Sequence, residues 1–430
     1  MSHSSRRNFI KKNISRSLLL FLGAPLSGFA ADDQLMRSPL SRALKDKDEI
    51  DWGEIRKQFL LSENMHYFNT GSLGPSPHAV VDKVCDMMKI LEQRAYDGHT
   101  FTPAAHDKIG AFLNTTSEEI AVTRNATEGM NIVARSLPLE AGDEILLTNQ
   151  EHIGGAAPWL ALQKDKGVVV KLIKLDPTGE NNLQIIKESI TDKTKVVSFS
   201  HVTFTTGIRL PAKEIADVCR EKGIYSCIDG AQAIGMIPID LTEINPDFYI
   251  GSGHKWLFGP KGTGILFMNK SAIKACSPVF VGAYTDKKFD LNTLAMEYRT
   301  CAHREEYGTR NTPIIVGLGS AIDFISTIGI ENIEERGRAL ANYFRAGIDQ
   351  IPEITILTPA DPQYASSIVT ISINNIDHAK VSKSFSDTKQ LKVRVIFENG
   401  ISGLRLSFSI FNSKEEIDFL LAALQEVVAG

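Results

Sequence analysis

Between residues 120 and 268 the chain alternates short apolar runs with longer amphipathic stretches, and this alternation restricts the fold more than any other feature. The runs IAVT (120–123), EILLT (144–148), VVVKLIKL (168–175), KVVSFS (195–200), IYSCID (224–229), DFYIGS (247–252) and GILFM (264–268) have the length and composition of strands. Helical stretches separate most of them, at 127–137, 156–166 and 211–222. Strand-helix alternation implies a mostly parallel sheet covered on both faces, an α/β architecture. Ligands of open α/β sheets bind beyond the carboxyl ends of the strands. The residues just after each run are therefore the first candidates for chemistry.

The pattern changes after residue 312. A helical region spans about 314–350 with a break near Gly329, followed by SSIVTISI (366–373), a helix from about 377, KVRVIF (392–397) and GLRLSFSI (403–410). Ser413 and Glu416 form a capping box for a closing helix. This predicts a large domain over 65–312 and a smaller α+β domain over 313–430. Residues 31–64 read as a polar arm with one helical stretch from about Trp52 to Leu61.

Residues 1–30 resemble a twin-arginine signal peptide. Arg6 and Arg7 precede Phe9, Ile10 and Lys11, a short apolar stretch runs from Leu18 to Leu22, and Gly28 and Ala30 are small residues at signal-peptidase spacing. The apolar stretch is too short to anchor in a bilayer. The expectation is a periplasmic protein, exported in folded form by the twin-arginine machinery. Cleavage after Ala30 removes five basic residues and no acid, leaving a more acidic chain.

Bulk properties exclude several classes. The chain has 430 residues, 43% of them hydrophobic, enough for two or three domains. A net charge of −4 gives no basic surplus for nucleic acid. The five cysteines are odd in number and include no CxxC pair, so neither a zinc site nor a dense disulfide framework is indicated. Cys219 and Cys227 flank a helix-to-strand joint and are expected in the core.

Two residues carry the chemistry. Lys255 lies in the glycine-rich run GSGHKWLFGPKGTG, where a lysine amine can condense with an aldehyde cofactor. Asp229 ends an apolar strand, where an ionised carboxylate needs a partner. A pyridinium N–H is such a partner, and the pair points to pyridoxal phosphate (PLP). TRNATEGMNIVA places Ala126, Thr127 and Gly129 at a helix start, where free amides and the helix dipole attract an anion. Other glycine strings do not complete known loops. Trp256 occupies the third glycine position of a GxGxxG, and GPKGTG lacks P-loop spacing.

Several ordered motifs extend this pair: YFNTGSLGPSP (67–77), TRNATEGMNIVA (123–134), NQEHIGGAAPW (149–159), EEYGTRNTP (305–313) and GLRLSFSIFNSKEEID (403–418). With them the chain resembles, from about 65 to 425, the class V aminotransferase group of fold-type I PLP enzymes. That group includes the cysteine desulfurases and isopenicillin N epimerase. The resemblance implies that the Ala126 amide, the Thr127 hydroxyl, Ser252 and His254 contact the cofactor phosphate. It implies that His152 stacks on the pyridine ring, Asp229 holds its nitrogen, and Gln232 bonds its phenolic oxygen. Lys255 then forms the covalent link and moves the Cα proton, and Arg405 grips the substrate α-carboxylate. The Gly308–Thr309 segment is implied to reach the phosphate of a neighbouring subunit, making a homodimer with shared sites. Arg310 and Arg394 are second candidates for anion contact.

The chain departs from the desulfurase pattern. VRVIFENGISGLR, ahead of Arg405, has no cysteine, and Phe204 stands where desulfurases commonly carry a polar residue. The expectation is accordingly against a cysteine desulfurase. An aminotransferase acting on an amino acid or amino-acid-containing peptide is the first choice, and an isopenicillin N epimerase-like epimerase or racemase the second. Elimination stays open, and a non-catalytic PLP-fold binding protein is the alternative of another class.

Overall fold

The computed structural model describes residues 50–430. The anticipated export signal and most of the anticipated arm lie outside the described residues. The residues from Arg56 to Gly430 form one compact unit. A helix covers Trp52–Arg56, shorter than the Trp52 to Leu61 stretch anticipated. The unit from Arg56 onwards carries everything below.

Seven strands form the large sheet: β1 (Ile120–Thr123), β2 (Glu144–Thr148), β3 (Val169–Ile173), β4 (Thr194–Ser200), β5 (Tyr225–Asp229), β6 (Phe248–Ser252) and β7 (Gly264–Met268). Their order is β1-β7-β6-β5-β4-β2-β3. The pairs from β6 across to β3 are parallel, and β7 runs antiparallel to both its neighbours. Strands β2, β6 and β7 are buried along their whole length, which is why they read as continuous apolar runs. β3 closes one edge and is largely exposed. Helices α1 (Ala126–Ser136) and α2 (Ile153–Lys166) pack against the sheet in a core that includes Met130, Ile145, Trp159, Val196, Cys227 and Ile250.

Helices α3 (Thr312–Ile328) and α4 (Ile330–Ile348) meet at a bend of 74°. Gly329 supplies the φ of 90° that the bend requires. A four-stranded antiparallel sheet follows, made of β8 (Ile354–Ile356), β9 (Ile368–Ile373), β10 (Arg394–Ile396) and β11 (Gly403–Ser407) in the order β8-β9-β11-β10. The closing helix α5 (Lys414–Ala429) starts on Ser413, and both halves of the Ser413–Glu416 capping box are formed. Strand β8 and a hairpin of strands Asp286–Asp290 and Ala295–Tyr298 were not anticipated from sequence.

The segment from Asn69 to Gly74 lies against the turn that carries Lys255. The Gly74 N–H donates to the His254 carbonyl at 2.7 Å, and a Cβ on Gly74 would fall 1.9 Å from the Lys255 carbonyl oxygen. Glycine is required here by backbone approach. Gly74→Ala is expected to cost about 1–3 kcal/mol of stability, read as a lowered denaturant midpoint at unchanged slope. A wild-type midpoint would show that the two segments are not in this contact.

Candidate active site

Strands β2, β4, β5 and β6 point their carboxyl ends at a cavity of about 210 Å³. Ala126, Thr127, His152, Asp229, Gln232, Ser252, His254 and Lys255 all line it, joined by Ser200, Phe204 and Arg394. A larger hollow of about 920 Å³ surrounds Arg209, Lys213 and Asp240. None of the sequence-derived candidates lines that hollow, so size does not identify the site, whereas convergent chemistry does.

Asp229 ends β5 and is buried. Its Oδ1 accepts the Ala231 N–H at 2.8 Å. Burial raises its pKa, and the nearby Lys255 charge and the Ala231 amide pull it back. Lys255 is pushed down to about 8 by the same burial, against the attraction of Asp229. A buried carboxylate that forms no ion pair among the described residues and an amine that readily sheds its proton face one cavity.

His152 is the N-cap of α2, and its Nδ1 accepts the Gly154 N–H at 3.0 Å. Burial, and then the charges of Lys255 and Arg394, lower it to about 4. The ring is therefore neutral at physiological pH, with a face suited to stacking on a cationic ring. Phe204 packs edge-on against it, ring centroids 5.0 Å apart.

The starts of α1 and α2 touch beside the cavity. A Cβ on Gly154 would lie 2.3 Å from the Thr127 hydroxyl. Asn125 caps α1 by accepting the Glu128 N–H at 2.9 Å, while Ala126 and Thr127 occupy positions whose amides lack intrahelical acceptors. Two helix termini of the same sign make an anion cradle. Gln232 is fixed at both ends: its amide N–H donates to the Gly71 carbonyl and its oxygen accepts the Trp256 indole N–H, each at 2.8 Å. Nδ1 of His254 lies 3.3 Å from the Thr263 carbonyl.

Arg405 is wholly buried on β11 behind the cavity wall. It donates to the Phe204 carbonyl at 3.0 Å, to Asn69 Oδ1 at 3.1 Å and to the Ser72 hydroxyl at 2.9 Å. Its Nε has no hydrogen-bond partner. Among the described residues no carboxylate pairs with it. A buried guanidinium held only by neutral acceptors has room for an anionic ligand. Thr309 is exposed and does not line the cavity of its own chain.

Sequence reasoning missed Glu151. It is buried, accepts from Thr148, and takes the Ser200 N–H at 3.0 Å and the Ser200 hydroxyl at 2.7 Å. Burial pushes it up to about 7, and the charge of Asp229 adds to the rise. A Cβ on Gly155 would lie 3.3 Å from Asp229 Oδ2 and 3.6 Å from Glu151 Oε2, so both carboxyls flank one glycine. Its signal was its place beside His152 directly after a strand. Asn69 and Ser72, which hold Arg405, were also missed.

These residues fit PLP. The paired helix starts suit a phosphate, Asp229 suits a pyridinium, His152 offers a neutral ring face, and Lys255 offers an amine. Comparison with known proteins agrees. The family model for class-V aminotransferases matches residues 84–420, and the chain belongs to that family. It is 30% identical over 400 residues to a cysteine desulfurase of Serratia proteamaculans, covering 87% of this chain and 97% of that one. A cysteine desulfurase of Yersinia pestis is 30% identical over 382 residues, covering 84% and 93%. Among solved structures, the cysteine desulfurase CsdA from Escherichia coli superposes with a TM-score of 0.80 at 23% identity, over 88% of this chain and 99% of that one. The cystine C–S lyase C-DES, in complex with its product cysteine persulfide, superposes with a TM-score of 0.78 at 25% identity, over 84% and 97%. Another C-DES structure carries glycine covalently linked to PLP. The protein is a PLP-dependent enzyme of the class V family with the fold-type I architecture.

One expectation is corrected. The reading against a cysteine desulfurase, with an aminotransferase first, conflicts with relatives and structural neighbours that are desulfurases. It gave one missing loop cysteine too much weight. Breaking a C–S bond requires loss of the Cα proton and departure of sulfur, and neither requires the sulfur to land on that loop.

The depressed amine of Lys255 generates a prediction. Its neutral form is the nucleophile, so the rate of PLP loading onto cofactor-free enzyme should rise with pH and level off above about 8. A midpoint near the ordinary lysine value, in stopped-flow absorbance, would refute the assignment. Because the folded state gives up this proton earlier than the unfolded chain does, the cost of burying Lys255 is full below pH 8 and fades as pH rises.

Proposed function

We propose that this protein cleaves the C–S bond of a sulfur-bearing amino acid. The observation that carries the reading is Arg405, buried without a counter-charge beside the cavity that holds Lys255 and Asp229. It suits a carboxylate and lies next to an amine placed to move a proton. The likeness to desulfurases and to a cystine C–S lyase supplies the bond to be broken.

When bound, PLP supplies the electron sink that makes the Cα proton removable. Arg405 receives the substrate α-carboxylate, and Asn69 and Ser72 hold the guanidinium in place. Asp229 keeps the ring nitrogen protonated, His152 covers the ring face, and Gln232 bonds its phenolic oxygen. Ala126, Thr127, Ser252 and His254 hold the phosphate. Lys255 carries the cofactor and moves the proton at Cα.

Holoenzyme supplied with L-cysteine plus a thiol, or with L-cystine, should yield sulfide or persulfide together with alanine or pyruvate, measured by mass spectrometry. Accumulation of the pyridoxamine form of the cofactor without sulfur release would point to transamination and overturn the proposal. Lys255→Ala should abolish turnover and the borohydride-stable adduct, while Arg405→Ala should raise KM by about 10² or more.

The same reading extends to assembly and location. Thr309, exposed and outside its own cavity, supports a homodimer in which this segment completes the partner's phosphate site. Arg6, Arg7 and the apolar stretch after them support export by the twin-arginine machinery to the periplasm. Changing both arginines to lysine should leave the enzyme in the cytoplasmic fraction. Unchanged distribution on fractionation would refute export by this route.

A further inference from the structure

The cavity wall carries a second arginine that the chemistry above leaves idle. Arg394 on β10 and Arg405 on β11 are directly opposed in the antiparallel register. Opposed residues project from the same face of a sheet, and like charges so placed repel. Such a pair persists where anions separate or neutralise it. Arg394 lines the cavity, and its guanidinium carbon stands 5.2 Å from the Phe204 ring centroid. The ring fixes the guanidinium plane at the cavity wall.

The charge of Arg394 is met by Glu398, four residues on in its own chain. Glu398 opens the single turn Glu398–Gly400, where Asn399 and Gly400 both have left-handed φ, at 60° and 77°. The neighbouring Phe397 is 76% exposed. Apart from Arg394, the Glu398 carboxylate is held by backbone amides of its own turn, the Phe397 N–H at 3.0 Å and its own N–H. Glu398 thus stands on a short exposed turn and shows that the guanidinium accepts a carboxylate in this orientation. A ligand carboxylate arriving from the cavity can replace it, and Glu398 can swing to water.

We propose that the pocket selects an amino acid bearing a second carboxylate, with Arg405 taking the α-carboxylate, Arg394 the distal one, and Glu398 acting as the displaceable stand-in. The idea rests on the amino-acid site proposed above and names its substrate class. Within the C–S cleaving reading, L-cystine is a substrate of this kind. Its Cα proton is removed, its Cβ–S bond breaks with the electron pair passing to sulfur, and cysteine persulfide departs. The unsaturated three-carbon amine left behind adds water to give pyruvate and ammonia, with no external oxidant or reductant.

The test compares L-cystine with S-methylthio-L-cysteine, which has the same C–S and S–S bonds but lacks the second carboxylate. Wild-type holoenzyme should favour cystine by about tenfold or more in kcat/KM, through KM. In Arg394→Ala the ratio should collapse towards one, and in Glu398→Gln it should be kept or increased. No preference in the wild type, or a preference that survives Arg394→Ala, overturns the proposal. If neither disulfide is cleaved, the C–S reading fails, and the subsite is judged by visible-spectrum titration of holoenzyme. L-Aspartate or L-glutamate should then bind about tenfold more tightly than asparagine or glutamine, and the advantage should vanish in Arg394→Ala. Equal affinities within both pairs would overturn the second-carboxylate site independently of the reaction.

Discussion

Burial of charge without local compensation organises this molecule. Arg405 is inaccessible to solvent, and neutral oxygens are its hydrogen-bond acceptors. Asp229 is buried with one amide hydrogen bond, and Lys255 is driven towards its neutral form. Each arrangement is costly by itself and is offset by a partner of complementary charge or reactivity. The partners proposed for them differ: a pyridinium for Asp229, a carbonyl carbon for Lys255 and a carboxylate for Arg405. The fold stores, in three places, the electrostatic specification of a cofactor and an amino acid.

That arrangement depends on close backbone approach. Gly74 lets the Asn69–Gly74 segment rest on the lysine turn, which brings Asn69 and Ser72 within reach of Arg405 more than 300 residues later. Gly154 lets the start of α2 meet Thr127 at the start of α1, and Gly155 leaves space between two carboxyl groups. A side chain at Gly74 or Gly154 would force apart elements whose contact creates the site, and one at Gly155 would crowd the Asp229 carboxylate. The glycines of NTGSLG and HIGG are therefore a structural requirement of the chemistry.

Much of this was legible in the sequence because periodicity and strand ends are local properties. All seven sheet strands fall within a residue or two of the anticipated runs. Asp229 announced itself as an acid closing an apolar run. Glu151 did not, because NQE reads as an ordinary polar loop and only the packing of β4 brings Ser200 onto its carboxylate. The opposition of Arg394 and Arg405 was equally hidden. They lie eleven positions apart, and their shared face follows from the β10–β11 register alone. The hairpin at 286–298 escaped because DKKFD and AMEY lack the alternation of a half-buried strand and remain largely exposed.

In the C–S cleavage proposed above, the route of the sulfur follows from where the thiols lie. Among the described residues no cysteine lines the cavity. Cys227 is nearest in sequence to Asp229, two residues before it on β5, yet it is sealed in the core with its sulfur 3.9 Å from that of Met130, and burial holds its thiol far above the ordinary range. Cys219 is pushed up to about 12 by burial, and Cys276 is raised in the same way. None of these three can present a thiolate. Cys85 lines a separate apolar groove with Leu60 and Val84. Cys301 does not line the cavity either, so in the proposed reaction the released sulfur leaves with the product or passes to a thiol that enters the cavity from outside. Both outcomes place the sulfur acceptor outside the catalytic apparatus of this chain, so Arg405, Lys255 and Asp229 can be complete without a nucleophilic cysteine beside them.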